Sequence, residues 1–226
     1  MNDITHIGLI LDGNRRYAQK QQKPLIWGHE QGAEVFFKIL EHIYTHTNIT
    51  TVTAYILSLE NMNREETQVS QLLDLFSRLA SEFEKRQESY TNRKAKVRFV
   101  GKLSIFSDSI KAKIDEIEAK TAKYTGGVVN LCFGYSGQDE IVRAAQKVVQ
   151  SGSELTIDSL TNSLDIPHSP DLIIRTGGHT RMSNFLVWQS TYTEWFFVKE
   201  LWPEFSVAQL ESIIAEYSLI TRNNGK

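Results

Sequence analysis

The sequence predicts an α/β protein built on a parallel sheet. Short apolar runs alternate along its 226 residues with longer segments whose apolar residues recur at helical spacing. The first of these runs ends abruptly in the turn formers Asp12-Gly13-Asn14, as a strand does where it enters a loop. No internal repeat, low-complexity tract or convincing domain boundary interrupts the pattern. Strands that alternate with helices favour a parallel sheet, here in a single domain over 1–226.

Six strands are predicted from short runs of aliphatic, β-branched and aromatic residues. The first run is aliphatic and lacks proline, and the second is rich in threonine, valine and tyrosine. The third ends at Gly101, and the fourth is closed by Gly134-Tyr135-Ser136-Gly137. The fifth is short and precedes Arg175-Thr176-Gly177-Gly178. In chain order the predicted strands are 7–11, 51–57, 96–100, 128–133, 172–174 and 195–198.

Helices are predicted where apolar residues recur every three or four positions. Phe36, Phe37 and Leu40 mark the first helix, and a long apolar stripe from Val69 to Phe83 marks the second. The segment 151–170 is polar and contains Gly152 and two prolines, which indicates a surface connection with one short helix. In chain order the predicted helices are 30–46, 69–83, 110–121, 141–148, 157–164, 184–191 and 210–217.

Composition narrows the class of function. The net charge of −2 gives no sign of a general nucleic-acid surface. Cys132 is the only cysteine, which excludes an internal disulfide and suits a reducing compartment. No apolar run reaches the length of a membrane span, and the first residues do not resemble a signal peptide. We therefore expect a cytoplasmic protein, and a peripheral contact with a membrane stays open.

The loop after the first strand carries the densest set of chemical groups. Asp12 supplies a carboxylate suited to a hard cation such as Mg²⁺, which usually also binds substrate phosphate. Gly13 allows the backbone to approach a ligand closely. Arg15 and Arg16 offer forked donors suited to phosphate oxygens. A solvated turn with two surface arginines is an equally good interpretation of these residues alone.

Two further polar clusters, 58–64 and 175–183, also follow predicted strands. The carboxyl ends of parallel strands lie at one edge of a sheet, so we expect the three clusters to converge. So many guanidinium groups around one cleft indicate more than one phosphate or diphosphate. Neither GxxxxGK[ST] nor GxGxxG is present, so a nucleotide is not favoured. The arginines of the three clusters are Arg15, Arg16, Arg64, Arg175 and Arg181.

Each cluster also has an ordinary structural interpretation. Ser58 is typical of a helix cap, Glu60 of an ion-pair partner and His29 of a helix start. The segment 175–178 is compatible with a simple tight turn. The four tryptophans are more typical of a core or an interface than of a base-stacking platform, because the surrounding charge is balanced.

Together the clusters resemble the cis-prenyltransferase family, of the undecaprenyl diphosphate synthase type. Several separated motifs in the family's order make this resemblance far more specific than any one motif. It implies a six-stranded, mostly parallel sheet wrapped by helices, with an apolar tunnel, in a homodimer. It also implies that isopentenyl diphosphate is joined to an allylic prenyl diphosphate with a cis double bond and release of diphosphate. The motifs are DGNRRYA at 12–18, GHEQG at 28–32, SLENMNR at 58–64, RTGGHTRMSNFLVWQSTYTE at 175–194 and LWPEF at 201–205.

The resemblance also implies roles for individual residues. Asp12 matches a group that serves Mg²⁺ and the leaving diphosphate, and Glu194 matches a second carboxylate of the metal site. Asn61 matches the position proposed as the proton acceptor. The stripe from Val69 to Phe83 would line the tunnel that takes the growing chain. The implied substrate contacts are Gly13, Asn14, Arg15, Arg16, Tyr17, Leu25, His29, Ser58, Leu59, Glu60, Met62, Arg64, Arg175, Arg181, Met182 and Ser183.

Departures from the family pattern bear on substrate preference. Leu25 stands where many members carry an arginine, and Arg15 stands where bacterial members have glycine. We hypothesise that Arg15 supplies part of the missing charge. His179 and Thr180 depart from the pattern next to the second diphosphate clamp, and 222–225 only approximates the C-terminal Arg-x-Gly that completes the partner's site in many members.

The motifs are compatible with two alternative functions within the family. Some family members couple two allylic diphosphates irregularly, head to middle, as in lavandulyl-type synthesis. Other members are non-catalytic partner subunits, which typically lack the DGN loop. Asp12, Asn14 and Asn61 are all present here, which disfavours the second alternative.

Overall fold

The computed structural model describes residues 3–63 and 94–221. Its centre is a six-stranded sheet in the order β3-β4-β2-β1-β5-β6, and each of the five strand pairings is parallel. This confirms the predicted parallel α/β fold. The strands are β1 His6–Ile10, β2 Thr51–Ser58, β3 Ala95–Val100, β4 Gly127–Tyr135, β5 Leu172–Arg175 and β6 Glu194–Phe197.

Six α-helices are described, and they connect or flank the strands. Short 3-10 turns lie at Leu59–Asn63, Leu103–Ile105 and Trp202–Glu204. The predicted helix 69–83, with the proposed tunnel stripe, falls outside the described residues. The helices are α1 Asn14–Lys20, α2 Leu25–His46, α3 Asp108–Thr121, α4 Gly137–Gln150, α5 Ile157–Ser163 and α6 Val207–Ser218.

Two predictions of local structure were wrong. The residues after Asp12 form helix α1 rather than an extended loop. The segment 184–191 is a series of turns rather than a helix. Ser183, Asn184 and Leu186 have φ angles of 49°, 61° and 46°, which a right-handed helix cannot include.

The largest core cluster joins the sheet to α2 and α6. Leu40 and Ile43 of α2 pack with Leu9 of β1 and with Leu210 and Ile213 of α6. A second cluster contains Tyr55, Tyr135 and Phe185, close to the carboxyl ends of β2 and β4. Burial of these side chains holds the strand ends, and the loops that follow them, in fixed positions.

A line of buried polar side chains crosses the three central strands. His6 Nε2 lies 2.7 Å from Thr53 Oγ1, and Asn130 Nδ2 donates to the same oxygen over 3.0 Å. Burial lowers the pKa of His6 from 6.5 to about 4, so its ring is neutral in the folded protein near pH 7. In the described residues, no helix is both long and apolar enough to cross a membrane.

Candidate active site

The three predicted clusters meet at the carboxyl edge of the sheet. β1, β2 and β5 are neighbours, and each ends in one of the clusters. The backbone carbonyl of Asp12 accepts hydrogen bonds from Thr176 Oγ1 over 2.8 Å and from the Trp202 N–H over 3.0 Å. The turn after β1 is therefore anchored to the segments that follow β5 and β6.

The Asp12 carboxylate lies between two guanidinium groups. Its Oδ1 accepts from Arg16 Nη2 over 3.0 Å, and its Oδ2 accepts from Arg175 Nη2 over 2.9 Å. Arg16 also donates to the Gly177 carbonyl over 2.7 Å. The Arg175 side chain is only 4% exposed, whereas that of Asp12 is 28% exposed. Asp12 therefore presents a partly exposed carboxylate to the cavity, while its partner Arg175 is buried.

Arg175 also shapes the loop that follows β5. Its Nη1 donates to the backbone carbonyl of Arg181 and to Ser183 Oγ, the latter over 2.6 Å. Its Nε is buried and has no hydrogen-bond partner among residues 3–63 and 94–221. The Arg175 guanidinium thus holds Asp12 on one side and the 181–183 turn on the other, and neither contact uses its Nε–H.

Glycines allow these close approaches. Gly177 has φ 85°, and a Cβ there would overlap Arg16 Nη2 and lie 2.9 Å from the Asp12 carbonyl oxygen. Gly13 has φ 122°, and a Cβ there would lie 2.8 Å from Leu201 Cα. Both positions therefore require glycine for their backbone angle and for the space around them.

The opposite wall is the turn after β2. Ser58 Oγ accepts from the backbone N–H of Asn61 over 3.1 Å, which closes the 3-10 turn. Glu60 Oε1 accepts from Asn184 Nδ2 over 2.8 Å, so this turn is tied to the segment that follows β5. Burial raises the pKa of Tyr55, which lies beneath the turn, and the nearby Glu60 carboxylate raises it further.

These groups line one cavity of about 740 Å³. It brings together twelve residues that sequence analysis selected. They are Asp12, Gly13, Asn14, Arg15, Arg16, His29, Ser58, Glu60, Asn61, Arg175, Arg181 and Ser183.

Other selected residues do not line this cavity. Tyr17 stacks on Trp27 with 5.5 Å between ring centroids, and Met62 packs beside a separate apolar cluster. Leu25 is the first residue of α2, and Met182 is 38% exposed to solvent. Leu59 begins the 3-10 turn and is also absent from the lining. Arg64 falls outside the described residues.

The two predicted metal carboxylates are not brought together within this chain. Glu194 begins β6 and pairs with Leu172, whereas Arg175 pairs with Phe197. Glu194 therefore lies at the amino edge of the sheet, about 10 Å along the strand direction from the level of Arg175. In the described part of the chain, no three histidine, cysteine or acidic side chains form a cluster that could hold a metal ion.

Several lining residues were not selected from the sequence, including Gln19, Tyr55, His179 and Asn184. Tyr55 lies within a strand, where its alternation with apolar residues indicates only core packing. His179 departs from the family motif, and nothing else in the sequence marks it as a site residue. Partial loss of hydration and the charge of Arg181 lower the pKa of His179. Asn184 was missed because its role depends on contacts remote in sequence.

Comparison with known families decides the class of protein. The prenyltransferase family model described as "Putative undecaprenyl diphosphate synthase" matches residues 10–225. The chain belongs to the undecaprenyl diphosphate synthase family of prenyltransferases. The match starts at the last residue of β1 and includes all of the cavity-lining residues.

Curated members of this family align over the whole chain. The isoprenyl transferase of Wolinella succinogenes is 36% identical over 228 residues, covering 100% of this chain and 98% of that protein. The isoprenyl transferase of Campylobacter jejuni is 33% identical over 226 residues, covering 100% of both. The family predicted from the motifs is thus confirmed.

Two solved structures are similar to this member of the undecaprenyl diphosphate synthase family. A probable undecaprenyl diphosphate synthase from Campylobacter jejuni superposes with a TM-score of 0.86 at 31% identity, covering 100% of both chains. The lavandulyl diphosphate synthase of Lavandula x intermedia, in complex with dimethylallyl diphosphate, gives a TM-score of 0.88 at 26% identity, covering 99% of this chain and 98% of that chain. Both similarities extend beyond the sheet to nearly the whole chain.

Proposed function

We propose that this family member condenses isopentenyl diphosphate with an allylic prenyl diphosphate, forms a cis double bond and releases diphosphate. The observation that supports this most is the Asp12 carboxylate between Arg16 and Arg175 in a cavity that Arg15 and Arg181 also line. Four guanidinium groups and two carboxylates, those of Asp12 and Glu60, line this cavity. The excess of positive charge is one that diphosphate groups would offset.

Mg²⁺ is the cofactor we propose, and Asp12 would hold it. The carboxylate is a hard oxygen donor and its side chain is 28% exposed. Each of its oxygens accepts one hydrogen bond from the described residues, which leaves lone pairs for a cation. Mg²⁺ is commonly held by one or two carboxylates together with substrate phosphates. When bound, Mg²⁺ would neutralise charge that develops on the leaving diphosphate.

In the reaction, the allylic carbon–oxygen bond breaks and diphosphate leaves with both electrons. The allylic carbon bonds to the terminal carbon of isopentenyl diphosphate, which then loses one proton. Arg15 and Arg16 would bind the departing diphosphate, because both residues line the cavity beside Asp12. Arg175, Arg181 and Ser183 would bind the second diphosphate. Ser58 Oγ accepts a hydrogen bond from the Asn61 backbone and so fixes its position. Asn61 would lie next to the proton that the isopentenyl group loses.

The test uses the purified protein with labelled isopentenyl diphosphate, Mg²⁺ and allylic starters of increasing length. We expect labelled products that grow in five-carbon steps, measured by mass spectrometry, and a loss of product with excess chelator. Failure to make labelled product with any starter would contradict the proposed reaction. Full activity in chelator would contradict only the metal.

Irregular coupling of two allylic diphosphates is the second candidate. Two observations favour it: the similarity to lavandulyl diphosphate synthase over nearly the whole chain, and His179 in the cavity beside Arg181. The same assay separates the two candidates. Omission of isopentenyl diphosphate should abolish product in the proposed reaction, whereas irregular coupling would continue unchanged.

The assembly and location of the protein remain predictions. We propose a homodimer, which light scattering of the purified protein would test. We also propose a cytoplasmic location with a peripheral membrane contact for the lipid product. Binding to liposomes, measured by co-sedimentation with and without product, would test that contact.

A further inference from the structure

Asn184 connects three strand ends at the cavity. Its Nδ2 donates to Glu60 Oε1 over 2.8 Å and to Ser136 Oγ over 2.6 Å. Its Oδ1 accepts from the Gln138 N–H over 3.0 Å, and its backbone carbonyl accepts from the Gly137 N–H over 2.8 Å. The side chain therefore reaches the turn after β2 and the start of α4, which follows β4.

Asn184 also follows directly after the Arg175 clamp, which consists of Arg175 and the Arg181 carbonyl and Ser183 hydroxyl that it holds. The preceding residue, Ser183, accepts a hydrogen bond from Arg175 Nη1 over 2.6 Å. On the other side, Glu60 precedes Asn61 in the 3-10 turn. A continuous set of contacts thus runs from Arg175 through Asn184 to the turn that carries Asn61.

The local backbone suits asparagine at this position. Asn184 has φ 61°, in the left-handed region that asparagine tolerates better than most residues, and it is half-buried in the cavity wall. Asn184 thus forms a bridge between Glu60 and Ser136. Ser136 is only 5% exposed, so this end of the bridge is anchored in the protein interior. Glu60 is exposed, so the contact with Asn184 fixes a side chain that would otherwise move freely on the surface.

We propose that Asn184 is a positioning residue that sets the separation between the Asn61 turn and the Arg175 clamp. This inference rests on the proposed function, in which the clamp binds one substrate and the turn lies at the reacting centre. Bond formation between two substrates depends on their relative placement, and a misplacement of about 1 Å can cost roughly 100-fold in rate. Asn184 contributes by holding two walls together and does not act on the substrate itself.

The bridge predicts a particular pattern of kinetic effects. Asn184→Gly keeps the left-handed backbone but removes the side-chain contacts, so kcat should fall by about tenfold or more, while KM for each substrate changes by less than about threefold. Asn184→Asp places a second carboxylate opposite Glu60 and should lower kcat further. Asn162→Asp makes the same change on the exposed surface of α5 and should leave kcat unchanged.

A double variant separates this role from a merely structural one. In Asn184→Asp combined with Glu60→Gln, the new amide can donate to the new carboxylate, which restores the bridge with reversed polarity. We expect kcat to recover at least about fivefold relative to Asn184→Asp alone, which a double-mutant cycle would measure as coupling. Circular dichroism and thermal melting of each variant would show whether its fold is retained.

Each outcome bears on the proposal. An active wild-type enzyme with an equally active Asn184→Gly variant would overturn the bridge, as would losses that simply add in the double variant. Equal increases in both KM values with kcat unchanged would also overturn it, because that pattern indicates lost binding rather than lost placement. An inactive wild-type protein would instead contradict the proposed function itself.

Discussion

Asp12 shows how one side chain can connect both of the proposed substrate regions of the cavity. Its carboxylate contacts Arg16 on α1 and Arg175 at the end of β5, which lie far apart in the sequence. Arg175 is almost completely buried, so its charge is stabilised largely by this pairing and by the carbonyl and hydroxyl that it contacts.

The first prediction concerns the Asp12 carboxylate. Asp12→Asn should reduce turnover by at least about 100-fold, because the change removes the charge proposed to hold Mg²⁺ and leaves Arg16 and Arg175 without their carboxylate partner. The free energy of unfolding should fall by about 1–3 kcal/mol, since a buried cation loses a charged partner that is itself partly solvated. Steady-state kinetics and urea denaturation measure the two effects.

The matched control is Asp115→Asn, which removes an exposed carboxylate on α3. That variant should keep both turnover and stability. Turnover of Asp12→Asn at the wild-type rate would contradict both the metal role and the leaving-group role.

The second prediction assigns Arg181 to the non-allylic substrate. The Arg181 contact with Arg175 uses its backbone carbonyl, so Arg181→Ala should leave the clamp itself in place. Loss of one charge-assisted phosphate contact costs roughly 1.5–3 kcal/mol, so KM for isopentenyl diphosphate should rise about 10- to 100-fold. KM for the allylic substrate should change little. Lys199→Ala, which removes an exposed charge in the loop after β6, serves as the control, and equal effects on both substrates would refute the assignment.

At the scale of elements, the strands were predictable and α1 was not. Parallel strands buried on both faces are continuous apolar runs, and turn formers mark their ends. Helix α1 has only one buried residue, Ala18, so it shows no apolar periodicity. Its stability comes from packing on α2, where Gly28 and Gly32 let the Asn14 backbone and side chain approach closely.

The turns at 184–191 show the opposite error. The segment 184–191, which contains the apolar run Phe185, Leu186 and Val187, was predicted to be helical. Phe185 and Leu186 are indeed buried, but the segment has positive φ angles, and Asn184 contacts Glu60 and Ser136, which follow β2 and β4. Motifs at strand ends therefore identified Asp12 and Arg175, while a residue defined by distant contacts was not recognisable.

The third prediction tests the loop after β5. Gly177→Ala should reduce turnover at least about tenfold, because the new methyl group displaces Arg16 from Asp12. Gly152 has a similar φ of 72° but nothing within 4 Å of its Cβ position, so Gly152→Ala carries the same backbone cost without a clash. Gly152→Ala should lose about 1 kcal/mol in denaturant titrations, and Gly177→Ala should lose more, because its methyl group would also lie 2.9 Å from the Asp12 backbone oxygen. Equal turnover in the two variants would show that the Arg16 contact has no catalytic consequence.

The fourth prediction follows from the buried histidine in β1. The pKa of His6 falls from 6.5 to about 4 on burial, so folding requires the neutral ring. The stability that this provides is fully present above pH 6.5 and is lost as the pH falls from 6.5 towards 4. The total loss over that interval is of the order of 3 kcal/mol. The free energy of unfolding, measured by denaturant titration at several pH values, should therefore decline through this range.

His6→Gln isolates the contribution of this ring. Glutamine does not titrate, so the difference in unfolding free energy between the wild type and this variant should shrink as the pH falls from 6.5 to 4. A pH-independent difference for His6→Gln would mean that His6 is not buried as a neutral ring.

At the scale of the whole molecule, the strand order interleaves distant parts of the chain. β1 lies between β2 and β5, so residues from the start of the chain pair with residues 172–175. Helix α6 packs on α2 through the same core cluster, where Tyr217 is fully buried with Ile43. Removal of the last third of the chain would expose Ile7 and Leu9 and leave one side of β1 unpaired.

We therefore predict that the chain unfolds as a single cooperative unit. Trp27 lies in α2 and Trp195 in β6, so tryptophan fluorescence reports on both ends of the chain. Far-UV circular dichroism reports on the helices and the sheet together. The two signals should give coincident denaturation curves, as a two-state transition requires. If the proposed homodimer forms, the midpoint should rise with protein concentration.

A fragment of residues 1–165, which lacks β5 and β6, should lack a cooperative transition, because an unpaired β1 edge and its exposed apolar face cannot be compensated within the fragment. Separate transitions for the two signals, or a fragment that unfolds cooperatively, would contradict the single folding unit.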